Sequence, residues 1–127
     1  MHRSRLYGVF VDVPLGEADS AAEFWAQALG AAPVRGDEDD PYVAMYGANP
    51  MFAFEVQAVD DTQRYHLDIE TDDVEAEVAR LKDLGANEYN RHSSWVVLQA
   101  PGGHLVCVVP VQSQRDFFDA HAKSWGD

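Results

Sequence analysis

Two copies of one pattern run through this chain, and no other feature limits its fold as much. Leu29-Gly30-Ala31 returns 55 residues later as Leu84-Gly85-Ala86, and Phe10-Val11-Asp12-Val13 returns 56 residues later as His66-Leu67-Asp68-Ile69. Each copy opens with a β-branched and aromatic run that reads as a strand. A helix follows, and Gly30 or Gly85 ends it. Neither copy is large enough to close a core alone, so the two are expected to share one sheet system with the helices outside.

In the first copy a strand over 6–13 stops at Pro14 and Gly16. A helix over 19–29, capped by Asp19 or Ser20, places Ala21, Phe24, Trp25, Ala28 and Leu29 at helical spacing. Short strands are expected over 31–35, 42–46 and 51–59, with the charged turn 36–41 between the first two. The second copy repeats this order: a strand over 65–70, a helix over 73–84, then strands over 87–91, 95–99 and 104–109. Its helix is expected to be capped at Thr71 or Asp72, with Glu75 completing a capping box. A terminal helix over about 113–125 carries Phe117, Phe118 and His121 on or near one face. The predicted fold is therefore α+β: two βαβββ modules, at about 5–59 and 63–110 of a single domain 1–127, form a curved mixed sheet around a cavity.

Composition narrows the function classes. The 127 residues are 46% hydrophobic, enough for a real core. A net charge of -13 argues against a nucleic-acid partner, because phosphates would be repelled. Small neutral or cationic ligands remain. One cysteine, Cys107, excludes an internal disulfide and fits a reducing compartment. No apolar run is long enough to span a membrane, and Asp12 interrupts the first one without a cleavage site after it, so the expectation is a cytoplasmic protein. Gly102-Gly103 lacks phosphate-loop spacing, and no nucleophile elbow is present. His2, His92, His104 and His121 are expected to be solvated.

The strand over 64–70 holds the chemistry. Alternation puts Tyr65, Leu67 and Ile69 on one face and His66, Asp68 and Glu70 on the other. An imidazole flanked by carboxylates suits a face that lines a cavity or water. The two neighbouring negative charges favour the protonated form of His66.

Taken in order, these pieces resemble the vicinal oxygen chelate superfamily, which groups glyoxalase I, extradiol dioxygenases and bleomycin resistance proteins, and especially its small glyoxalase-like domain members. The resemblance rests on Ala22-Glu23-Phe24-Trp25 with Leu29-Gly30, and on Arg64-Tyr65-His66-Leu67-Asp68 with Val78-Ala79-Arg80-Leu81 and Leu84-Gly85-Ala86. Ala100-Pro101-Gly102-Gly103 and the strand after it stand where the family has Asp-Pro-x-Gly-Asn. Enzymes of the family hold one divalent metal with one side chain from each of four strands, two per module. Carried over, those places fall at Phe10, at Glu55 or Gln57 with the repeat favouring Glu55, at His66, and at Cys107. Phe10 offers no donor and Cys107 replaces the usual Glu. Glu55, His66 and Cys107 together could still suit zinc, but oxygen-preferring ions would gain little.

Two functions follow from the resemblance. One is a metal-dependent lyase, isomerase or dioxygenase with Asp68 or Glu70 as base. The other is a non-catalytic binding protein, similar to bleomycin resistance proteins, that sequesters a cationic or aromatic ligand. A metal-free enzyme with His66 as general base is a third reading. The lost donor and the acidity favour the binding protein, with Phe10, Glu55, Gln57, His66, Asp68 and Cys107 lining its cavity, no cofactor expected, and a homodimer as the assembly.

Overall fold

A computed structural model describes residues 1–126. The elements are β1 (His2–Pro14), α1 (Ala18–Leu29), β2 (Ala32–Val34), β3 (Tyr42–Tyr46), β4 (Ala53–Val59), β5 (Arg64–Thr71), α2 (Val74–Asp83), β6 (Asn87–Arg91), β7 (Val96–Gln99), β8 (Leu105–Pro110), α3 (Arg115–His121) and β9 (Lys123–Trp125). The architecture is α+β and contains the two βαβββ modules in order. The chain divides into two compact units, residues 8–66 and residues 1–7 with 67–126.

In the first unit the strands run in the order β2-β3-β4-β1. The β1–β4 pair is parallel and the other two pairs are antiparallel. Parallel neighbours need a crossover, which α1 begins. Val11 and Val13 of β1, Val43 and Met45 of β3, and Val56 of β4 pack against Ala18, Ala22 and Ala26 of α1. Small alanines at this spacing let the helix approach the sheet closely. Gly8 opposes Ala53, and a Cβ at Gly8 would come within 3.0 Å of the Ala53 carbonyl oxygen, so a larger residue there would push β1 and β4 apart. Gly30 takes the left-handed conformation at φ 65° and donates its N–H to the Ala26 carbonyl, which ends α1 as expected.

In the second unit the order is β5-β8-β7-β6, with β5 and β8 parallel. Val96 and Leu98 of β7, Val106 and Val108 of β8, and Val78 of α2 form its core, with Ile69, Val74, Leu81 and Ala86 packed around them. Residues 2–4 of β1 pair with β9 in this unit.

Several local expectations are corrected. Glu17 is the N-cap residue of α1 and makes no side-chain cap, so neither Asp19 nor Ser20 fills that role. Asp73, rather than Thr71 or Asp72, caps α2 by accepting from the Ala76 N–H at 3.1 Å. The expected helix over 113–125 is a seven-residue α3 followed by the strand β9. Trp125 ends in a strand because residues 123–125 pair antiparallel with residues 2–4 of β1, and its indole Nε1–H donates to the Ser4 hydroxyl. β1 also starts four residues earlier than its apolar run, because His2–Arg5 is held by pairing and charge rather than by hydrophobicity. No helix among the described residues is long and apolar enough to cross a membrane.

Candidate functional site

The face of the first sheet opposite α1 collects the polar side chains. Because Val11, Val13, Val43 and Val56 are committed to the helix, alternation sends Phe10 and Asp12 of β1, Tyr42 of β3 and Glu55 and Gln57 of β4 to the other side. Register makes them neighbours: Phe10 opposes Glu55, Asp12 opposes Gln57, and Gln57 in turn opposes Tyr42.

His66, at the start of β5, belongs to this group. Its Nδ1 lies 2.8 Å from Asp12 Oδ2. An ionised carboxylate only accepts, so Nδ1 carries the proton and Nε2 is the nitrogen through which the ring would act. The imidazole stacks on Phe10 with centroids 4.8 Å apart and planes 10° from parallel. Tyr42 meets the Phe10 ring edge-on at 6.0 Å. Phe10 is thereby buried between two rings, and Tyr42 is the part of the stack most open to solvent.

Asp12 is 5% exposed. Burying a carboxylate is costly unless it is paired. His66 supplies one partner, and the Arg64 guanidinium, with Nε 3.7 Å from Asp12 Oδ2, supplies a second charge. Oδ1 is buried and has no hydrogen-bond partner among the described residues. Arg64 is itself held by Asp61. The result is an imidazole fixed in tautomer and orientation by a buried acid and an aromatic floor. Such an arrangement can hold a proton acceptor in place or offer a stacked surface to a ligand.

The remaining expected residues lie in the second unit. Asp68 and Cys107 are opposed across β5 and β8, half-buried, on the face away from Ile69, Val106 and Val108. Glu70 does not suit the role of base. It is fully buried, and its carboxylate accepts from Arg5 Nη1 at 2.6 Å, the Gln112 and Ser113 N–H groups at 2.7 and 2.9 Å, and Ser113 Oγ at 2.7 Å. Burial alone would raise its pKa, but these donors outweigh it and hold Glu70 ionised below the usual range.

Asp12 as the partner of His66 was not expected, since the repeat had matched it with Asp68 rather than placed it beside the imidazole. The available signal was parity, because Asp12 shares a strand face with Phe10. Arg64 and Tyr42 also join the site: Arg64 lies two residues before His66 on β5, and Tyr42 opposes Gln57 across β3 and β4. An open cleft of about 520 Å³ lies beside Val13, Glu17, Ser20 and Gln63, at the start of α1.

Of the four places that the resemblance gives to the family's metal, Phe10 holds no donor. The first module should contribute two donors from β1 and β4 and contributes one, Glu55. At the other place Phe10 lies flat on the imidazole that would have to bind.

Comparison with known proteins agrees with the fold. A search of curated sequences gives no significant match. Methylmalonyl-CoA epimerase from Mycobacterium tuberculosis is similar at 18% identity and TM-score 0.56, over 84% of this chain and 88% of that one. A hypothetical protein, BH1468, from Bacillus halodurans C-125 is similar at 14% identity and TM-score 0.63, over 87% and 96%. A hypothetical Staphylococcus aureus protein matches at 12% identity and TM-score 0.52 over 85% of this chain, which spans 34% of that longer one. At these identities the likeness concerns the fold alone. A family profile described as "Glyoxalase-like domain" matches residues 8–109, and the chain belongs to that family, within the vicinal oxygen chelate superfamily.

Proposed function

We propose that this glyoxalase-like protein binds a small cationic or aromatic molecule without using a metal of its own. The observation that carries the reading is the Phe10–His66 stack, in which a ring occupies the place of a metal donor. A flat pair backed by Asp12 and fronted by Tyr42 offers π-surface and negative charge, the two features a cationic aromatic ligand needs. The net charge of -13 raises the local concentration of such cations. The partner is a small molecule rather than nucleic acid or membrane, and the assembly is a homodimer, which sedimentation at micromolar concentration would test.

The test joins two measurements. Elemental analysis of the purified protein should find no stoichiometric metal. Titration with a cationic dye such as thioflavin T should show saturable binding that Phe10→Ala weakens by about tenfold, the factor carried by roughly 1.4 kcal/mol. Zinc retained by the wild type and lost from a Cys107→Ala variant would replace this reading with the metal-dependent lyase, isomerase or dioxygenase.

A second reading is favoured by the 2.8 Å Asp12–His66 bond. A tautomer-locked imidazole is the form in which histidine serves as a general base without metal. Under it, Asp12→Asn would abolish turnover while leaving dye binding in place. Equal loss of dye binding in both variants would return the site to simple recognition.

A further inference from the structure

Residues 1–7 and 110–127 lie outside the family match, and the structure fastens these two segments to each other. His2 opposes Trp125 and Ser4 opposes Lys123 across the β1–β9 pair. Between β8 and β9, Phe118 is fully buried, with the Arg3 guanidinium 5.1 Å from its ring centroid and Arg5 4.9 Å from that of Phe117. Arg3 Nη1 donates to Asp119 at 3.0 Å. Trp125 donates its Nε1–H to the buried Ser4 hydroxyl at 2.8 Å and lies 3.8 Å beneath the Arg80 guanidinium.

Carboxylates of the second module tie both segments down. Glu70 gathers Arg5 together with the Gln112 and Ser113 N–H groups, so one buried acid binds the start of the terminal segment and the N-terminal strand at once. Glu77, fully buried on α2, accepts from His2 Nε2 at 2.7 Å and from Arg80 at 2.8 Å through both oxygens. Asp72 accepts from the Arg3 N–H at 2.8 Å and from its Nε at 3.1 Å.

We infer that residues 112–125 form a strap over residues 2–5 that acid releases as a unit while the sheet of β5, β8 and β7 stays folded. Its direct polar tie to the module runs through Glu70, while Asp72 and Glu77 hold residues 2–5 beneath it. A protonated carboxyl carries a donor of its own and cannot accept from four groups, so neutralising Glu70 strands the donors of Gln112 and Ser113. The cations then face one another: His2, Arg3 and Arg5 on β1, Arg80 on α2, Arg115 and His121 on α3, and Lys123 on β9. Asp116 and Asp119, the acids of α3, are too few to offset them. Glu70, Asp72 and Glu77 all sit below the ordinary carboxylate range because, although burial opposes it, their donors win. Release therefore belongs below pH 4.5. The apolar contacts of β7 and β8 hold no ionisable group and are untouched.

Pulsed hydrogen exchange on the full chain, corrected for the intrinsic effect of pH, tests this. Between pH 7 and about pH 3.5, amides over 112–125 should lose protection at least about tenfold more than those over 96–109. Equal loss in both regions, or a strap that stays protected, would overturn the inference. Glu70→Gln should reproduce the opening at pH 7, and exchange across the whole chain or an unchanged strap would count against it. Asp119→Asn, on the exposed side, should raise strap exchange by only about two- to threefold; spread of that increase into β7 and β8 would also refute a separate strap.

Discussion

Ala22 and Glu77 stand at the same place in the two copies of the repeat, each seven residues before the Leu-Gly-Ala that closes its helix, and both are buried. Ala22 is buried among Val, Met and Ala side chains. Glu77 is buried among His2, Arg80 and Ser4. The first module thus builds its helix–sheet layer from apolar contact, and its buried charge, Asp12, lies on the opposite face, where it meets His66. The second module places charge under its helix and uses it to hold the chain termini. One architecture accommodates both because a buried charge is tolerable when partners come with it.

The strongest way to break this comparison is to exchange the residues. Ala22→Glu would put a carboxylate into a layer with no donor, adding bulk and an unpaired charge, and should cost more than about 4 kcal/mol. Circular dichroism and solubility should report an unfolded or aggregated protein. A folded Ala22→Glu variant with an ordinary melting curve would mean that α1 accepts a buried carboxylate as α2 does, and the contrast between the two layers would fall. Glu77→Ala leaves Arg80, His2 and Ser4 without their acceptor, and should cost about 3–5 kcal/mol by urea denaturation. A loss below about 1 kcal/mol would show that water replaces Glu77 and that its burial contributes little.

Acid should separate the modules more gently, since protonation keeps the side chain in place. Glu70 and Glu77 are opposed by burial, but hydrogen bonds, led by Ser113 for Glu70 and by Arg80 for Glu77, leave both pKa values lowered from 4.5. A lowered folded pKa means that the unfolded chain takes up the proton first. The stability these groups give is therefore full above pH 4.5 and falls as pH drops through their folded values. Melting temperature should decline over that window, and the decline should be shallower in Glu77→Gln, which has lost one titrating group. Identical slopes would remove Glu77 from the account.

How much of this the sequence could show follows from the same contrast. Alternation in residues 10–13 and 66–69 and the paired Leu-Gly-Ala ends reveal both modules, because apolar periodicity is a local signal. Phe10 beside His66 was legible through the repeat itself. Asp12 as the partner of His66 was not, because the contact joins residues 54 apart and depends on register. Glu77 reads as an ordinary solvated position of a charged helix; its partners His2 and Ser4 lie far away in the chain. The terminal segment looked helical because Phe117, Phe118 and His121 share a face, yet pairing with β1 drew its last residues into a strand.

The smallest effect concerns the first module's open face, where the comparison is sharpest in chemistry and weakest in energy. If Phe10 and His66 act as one stacked unit, their contributions should not add. Phe10→Leu keeps most of the apolar volume and removes the ring; His66→Ala removes the imidazole and its bond to Asp12. Each variant should remain folded, since neither residue belongs to the layer under α1. A double-mutant cycle by urea denaturation isolates what passes between the rings, and the coupling should be about 0.5–1.5 kcal/mol, as for other stacked pairs. Dye binding read on the same four proteins should show a larger coupling than stability does, because a ligand meets the stack as one surface. Additive losses in both measurements would mean that the 4.8 Å contact is incidental. Unfolding of His66→Ala alone would make the imidazole a structural tie for Asp12 and would move this face out of recognition altogether.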